Sequence, residues 1–175
     1  MRAIQQTKFP QLERSDIVGE YGMTQAMHPH LRTIVETRDD ILRVLEVSDV
    51  GWTFDMGHMQ IGGMDPMEFM DLAFDRIRHV HRKDVVMDRA MPVFRHEQSI
   101  MEGVQAGMFS NLGQGDVPIG DIVQTLEARG YDQWYVLEQD AAITTGEPEV
   151  GSGPFLDVQA SIEYLRGIEA AASMT

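Results

Sequence analysis

The sequence contains no cysteine, so no disulfide can staple it, which fits a reducing compartment. Basic side chains are scarce: 14 Lys and Arg stand against 28 Asp and Glu, a formal charge of −14. That balance repels nucleic acid and anionic membrane surfaces and is compatible with binding a divalent cation. No apolar run approaches the ~20 residues of a membrane span. The first residues, Met1-Arg2-Ala3-Ile4-Gln5-Gln6, hold no signal-peptide core. A cytoplasmic protein is the expectation. Low-complexity tracts and interdomain linkers are also lacking, so 1–175 reads as one domain. At 43% hydrophobic and 24% charged residues, the composition excludes wholesale disorder. A chain of 175 residues is long enough for a core, and its 13 Met are suited to filling gaps there.

What is present is a repeat of apolar segments that end in polar residues. Gln25-Ala26-Met27-His28 is followed by Gly51-Trp52-Thr53-Phe54-Asp55 and Ile77-Arg78-His79-Val80-His81. Gly107-Met108-Phe109-Ser110-Asn111 and Trp134-Tyr135-Val136-Leu137-Glu138 complete the series. His28 to Asp55 is 27 residues, Asp55 to His81 is 26, and His81 to Glu138 is 57, or about two more intervals. One strand, one helix and two loops fill such an interval in a βα unit. The repetition implies a parallel sheet whose strand C-termini share one side, where chemistry sits in such folds.

Between these strands the periodicity predicts helices. One covers 9–20, with Leu12, Ile17 and Val18 inward and Gly22 near its end. Thr37 caps the next, with Asp39 and Asp40 in its first turn and Ile41, Leu42, Val44 and Leu45 as its buried stripe. Residues 56–63 read as a Gly-rich loop. Asp65-Pro66 reads as a cap and first helical residue, leading through Phe69, Met70, Leu72 and Ala73. Residues 82–93 read as a long connection over the catalytic face. His96 to Ala106 follows as a helix with Ile100, Met101 and Val104 inward. Leu112 to Asp116 is a turn, and 119–128 is a helix stopped by Gly130. Residues 141–154 are an irregular loop, and 158–168 form a last helix.

The strand-end residues are carboxylates and imidazoles, the donors that hard or borderline divalent ions prefer. Asp55-Met56-Gly57-His58 sets a carboxylate and an imidazole three apart across a glycine. In His79-Val80-His81 the two rings share one face of the strand. His81 lies nearer the mouth, and His79 reads as the deeper, structural one. Lys83 and Asp84 read either as an ion pair on the rim or as a substrate-handling pair.

These motifs resemble the sugar phosphate isomerase/epimerase superfamily, the xylose-isomerase-like TIM barrels, and within it the inosose dehydratase group. The matching residues are His28-Pro29-His30 with Thr33 and Glu36-Thr37, and Phe54-Asp55-Met56-Gly57-His58. His79-Val80-His81-Arg82-Lys83-Asp84, Gly113-Gln114-Gly115-Asp116 and Gly130-Tyr131-Asp132 follow, leading to Glu138-Gln139-Asp140. The likeness runs from about residue 12 to 168. It implies a (β/α)8 barrel, of which this chain supplies about five βα units from the C-terminal portion. Roughly three units, about 90 residues at ~30 per unit, are expected to be absent ahead of it. A truncated reading frame, a split gene product or a fragment would account for that. The open sheet edges would then pair with another copy or with a complementing N-terminal fragment.

The resemblance also implies a divalent metal, manganese or cobalt, with magnesium or zinc as options. It would be held by His28, Asp55, His81 and Glu138, where the wider superfamily commonly has a Glu at the first of these positions. His30, His58 and Asp84 would meet the substrate. Glu138 would act as base, with His58 or Lys83 helping the leaving hydroxyl. The implied reaction is dehydration of a keto-cyclitol, 2-keto-myo-inositol, through an enediolate. Sugar isomerisation or epimerisation uses the same site with a different second proton transfer. An inactive fragment is a third reading. A metal-dependent endonuclease, another branch, is disfavoured by the charge.

Overall fold

Trp52 and Phe54 explain the first long strand. They alternate with Thr53 and Asp55, so one face of Gly51–Asp55 (β2) is aromatic and the other polar. Both aromatic rings are fully buried and meet Phe69, at 5.3 and 5.5 Å between ring centroids. Burying each such ring contributes roughly 1.5–3 kcal/mol. The computed structural model describes residues 18–172. The helix expected over 9–20 falls mostly outside them, and 18–20 are helical.

Ala26–Met27 (β1), β2, Ile77–Arg82 (β3) and Trp134–Leu137 (β6) form a parallel sheet in the order β1-β2-β3-β6. Arg38–Val47 (α1) connects the first two strands. Met56–Ile61 (α2) and Pro66–Ala73 (α3) lie between β2 and β3. Asp84–Val85 (β4), Met87–Phe94 (α4), Ile100–Gln105 (α5), Phe109–Ser110 (β5) and Ile119–Ala128 (α6) come before β6, and Pro154–Ala172 (α7) closes the series. The parallel sheet is the one the repeat implied, and with helices after its strands it is the partial barrel that the resemblance implied. Among the described residues, no helix is long and apolar enough to cross a membrane.

The caps follow the sequence closely. Thr37 and Asp40 form a capping box on α1. Asp65 accepts the Met67 N–H ahead of Pro66. Gly130 takes a left-handed φ of +79° just past α6.

Several expectations are corrected. Residues 56–61 are helical rather than loop, because Asp55 caps them by accepting the His58 N–H at 2.8 Å. Residues 82–93 are not a plain connection but hold β4 and most of α4, with Ala90 and Val93 inward and Pro92 in the last turn. The helix expected from His96 starts only at Ile100, where Ser99 and Glu102 make a capping box. Met101 on that helix is exposed, as is Leu72 on α3. The strand expected near 108–110 pairs antiparallel with β4 and not within the parallel sheet. The reason is that β3 pairs directly with β6, His79 with Trp134 through Arg82 with Leu137, which leaves no place between them.

Candidate metal centre

The register of β2 and β3 sets Asp55 beside His81 and Thr53 beside His79, all on the face away from the aromatic core. His28 follows directly on β1, and Glu138 directly on β6, where its N–H donates to Arg82 O at 3.3 Å. Four side chains therefore arrive at one end of the sheet from four strands.

Asp55 is the centre of the arrangement and is fully buried. Its Oδ1 is taken by the His58 N–H. Three nitrogens converge on its Oδ2: His28 Nε2 at 3.3 Å, His81 Nδ1 at 3.7 Å and Lys83 Nζ at 3.8 Å. One donor atom from each of His28, Asp55 and His81 lies within 4.8 Å of the others. Glu138 joins through His81 Nδ1, which donates to its Oε2 at 2.5 Å, and through Lys83 Nζ, 2.8 Å from its Oε1.

The electrostatics follow from this packing. Burial alone would raise the Asp55 carboxyl. The hydrogen bonds from His28 and His81, with the charge of Lys83, outweigh it and hold the group well below the usual carboxylate range. Asp55 and Glu138 together push the His81 imidazole up to about 9. His81 in turn holds Glu138 down at about 2. Burial also acts to lower Lys83, yet Asp55, Asp140 and Glu138 leave its ammonium above its ordinary value. His58 goes the other way, pushed down to about 3 chiefly by burial.

His58 sits between Leu31 N–H, 3.4 Å from Nδ1, and the Lys83 ammonium, 3.2 Å from Nε2. A neutral imidazole has one acceptor nitrogen, so only one of these is a true hydrogen bond. The shorter contact and the full charge favour Lys83. His30 stacks near His58 at 3.8 Å between ring centroids and is turned by its Nδ1 donating to Leu31 O. His79 stays below the cluster, edge-on to His81 at 4.9 Å, its Nε2 without a partner.

Gly57 accounts for the spacing of Asp55-Met56-Gly57-His58. A Cβ there would come within 2.8 Å of Lys83 Cγ and 2.9 Å of Val85 Cγ2. The absence of a side chain lets α2 lie against Lys83 and brings His58 to the ammonium.

Asp84 is placed differently from the substrate contact that the sequence suggested. It is buried, and its two oxygens accept four backbone N–H groups, from Val85, Val117, Gly113 and Gly115, at 2.8–3.1 Å. Those bonds fold the Gly113-Gln114-Gly115 loop around it, and a Cβ on Gly115 would strike its carboxylate. Asp116 in the same motif accepts the Met87 N–H and so caps α4 from a distance. Lys83 and Asp84 do not form a rim ion pair: both are buried, and alternation along the chain sends them opposite ways.

Asp140 was missed. Its Oδ2 is 2.8 Å from Lys83 Nζ. The signal was its position two residues beyond Glu138, which keeps both on one side of an extended segment. Phe109, read from sequence only as part of a strand, lies beneath the Lys83 ammonium at 4.7 Å.

A half-closed parallel α/β barrel with carboxylate and imidazole donors at its strand ends is the class that fold and site define. A family model described as xylose isomerase-like TIM barrel matches residues 10–168, and the chain belongs to that family. It is 35% identical over 133 residues to an inosose dehydratase of Geobacillus thermodenitrificans (strain NG80-2), covering 73% of this chain and 45% of the relative. It is 36% identical over 125 residues to the rhizopine catabolism protein MocC of Rhizobium meliloti, covering 70% and 38%. The crystal structure of IOLI protein with a binding zinc atom superposes with a TM-score of 0.61 at 17% identity, over 90% of this chain and 53% of that one. The chain thus spans less than half the length of these curated relatives.

Proposed function

We propose that this chain carries the cation-binding and proton-transfer groups of a metal-dependent hydro-lyase acting on a keto-cyclitol, 2-keto-myo-inositol. The observation that carries the reading is the convergence of His28, His81 and Lys83 on one oxygen of buried Asp55, with Glu138 against His81. The donor set fits a divalent ion: two imidazoles and two carboxylates, hard to borderline and without sulfur. His28, Asp55, His81 and Glu138 would hold it. Manganese or cobalt suits these donors, and the zinc named for the IOLI structure belongs to the same range.

A bound cation would supply Lewis acidity, drawing electron density from a keto oxygen and making the neighbouring C–H more acidic. The chain's own groups would do the rest. Glu138, held as a carboxylate, accepts the proton from that carbon. Lys83, fixed by carboxylates on both sides, gives a proton to the β-hydroxyl as its C–O bond breaks, so that water leaves. His58, uncharged and against Lys83, orients that ammonium. His30, stacked near His58, would contact the substrate beside it. The chain's remaining sheet edges would be covered by a further copy or a complementing fragment.

The test is metal analysis together with incubation with scyllo-inosose. The expected outcome is one bound divalent ion and conversion to the dione. Formation of an epimer or an aldose from a ketose, without water loss, would replace the lyase reading by the isomerase one. No bound ion at millimolar manganese, cobalt or zinc would remove the metal reading.

A further inference from the structure

The Lys83 ammonium is 1% exposed and has three carboxylates within 4 Å: Asp55, Glu138 and Asp140. Two of these, Asp55 and Glu138, belong to the donor set proposed for the cation. A cation at that set would take up much of the charge of both carboxylates. A second positive charge would remain buried beside it, and an unbalanced buried charge is strongly unfavourable. Asp140 is the one carboxylate around Lys83 that is outside the donor set. It is also the most exposed of the three, with 39% of its side chain accessible, so its own desolvation cost is the smallest.

We infer that Asp140 is a positioning residue: its 2.8 Å contact holds Lys83 in the site when a divalent cation occupies Asp55 and Glu138. This rests on the metal reading above. It assigns a role to the third member of Glu138-Gln139-Asp140 that the cation does not need directly. The effect of Asp140 on the cation passes through Lys83, and that makes it separable from a ligand's effect. Phe109 beneath the ammonium and His58 at its side limit where Lys83 can go, so the balance falls on Asp140 alone.

The experiment is a double-mutant cycle on metal affinity, read by calorimetry with manganese or zinc and needing no turnover. Asp140→Asn should weaken binding about tenfold, within the range for members of one ion-pair network. Asp140→Glu, which keeps the charge, should stay within about threefold of the parent. In a Lys83→Met background, where no ammonium needs balancing, Asp140→Asn should change affinity less than about twofold. Thermal melts check that each variant is folded. A loss of the same size in the Met background would make Asp140 a ligand or a general electrostatic contributor and would overturn the inference. An unchanged affinity for Asp140→Asn in the parent background would overturn it as well. If the parent itself binds no cation, the metal reading fails first and the inference falls with it, a result distinct from either of these.

Discussion

Asp55 and Asp84 are both buried aspartates next to strand ends, and both looked like site residues, yet they do opposite work. Asp84 is surrounded by backbone. Its four N–H donors are fixed by the chain path, and no ligand could displace them without unfolding the Gly113–Gly115 loop. Asp55 accepts one backbone N–H and otherwise faces side chains: two imidazoles and an ammonium that gather around a single oxygen. Protons on those nitrogens stand where a cation could replace them. A buried carboxylate marks a binding site when its partners can be exchanged, and marks architecture when they cannot.

The largest expected effect breaks the architectural half. Asp84→Ala leaves four N–H groups without an acceptor, three of them in one loop, and should cost about 3–5 kcal/mol. Urea unfolding should show it as a large drop in midpoint with little change of slope. A loss below about 1 kcal/mol would mean that water serves those amides as well as Asp84 does. Next in size is the chemical half. Asp55→Asn keeps an oxygen to cap α2 but loses the charge at which the nitrogens converge. Cation affinity should fall at least about 100-fold, with a loss of stability smaller than that of Asp84→Ala. If Asp55→Asn retained the ion, or melted as early as Asp84→Ala, the contrast between the two residues would collapse.

The sequence separated these two aspartates only in part, and the reason is physical. Strand-end position and the roughly 27-residue interval locate His28, Asp55, His81 and Glu138, because parallel βα units impose both. Alternation tells His81 from Val80 and sends Lys83 and Asp84 to opposite sides. It does not say what lies on either side. The acceptors' partners come from 29 to 33 residues away, in the loop after β5, and are backbone groups that have no sequence signature. The same limit hid the pairing of β3 with β6. Their apolar patterns are those of parallel strands, but which strand becomes the neighbour depends on β5 being drawn off to β4. The start of α2 was legible in principle, since Asp55 with His58 three residues on is a cap geometry. Three glycines in 57–63 obscured it.

A third prediction sharpens the exchangeable character of the Asp55 cluster. His81 is pushed up to about 9 by the two carboxylates, so its Nδ1 carries a proton at neutral pH in the cation-free chain. A divalent ion must expel that proton to use the same nitrogen. Between about pH 6 and 8 the apparent affinity should therefore rise about tenfold per pH unit, a slope of one proton released. Calorimetry in buffers of different ionisation enthalpy would count that proton. A flat profile over this range would mean that the cation leaves His81 alone.

The smallest effect comes from a carboxylate that shares one trait with each of the other two. Asp40 accepts backbone N–H groups, as Asp84 does, from Thr37 at 2.9 Å and Glu36 at 3.3 Å, and also the Thr37 hydroxyl at 2.7 Å. Unlike Asp84 it is not deeply buried, and water can replace what it provides. Asp40→Ala should therefore cost only about 1 kcal/mol, a fall of about 2–4 °C in melting temperature. The bonds from Thr37, backbone first, hold its carboxyl below the ordinary aspartate range. A group depressed in the folded state stabilises above its unfolded pKa and stops doing so as pH falls through the folded one. The difference between parent and Asp40→Ala should be constant from pH 7 to about 5. It should then shrink below pH 3.8, as the parent loses the charge that the variant never had. A difference that persisted unchanged to the lowest pH at which the parent folds would mean that the contribution of Asp40 does not depend on its charge.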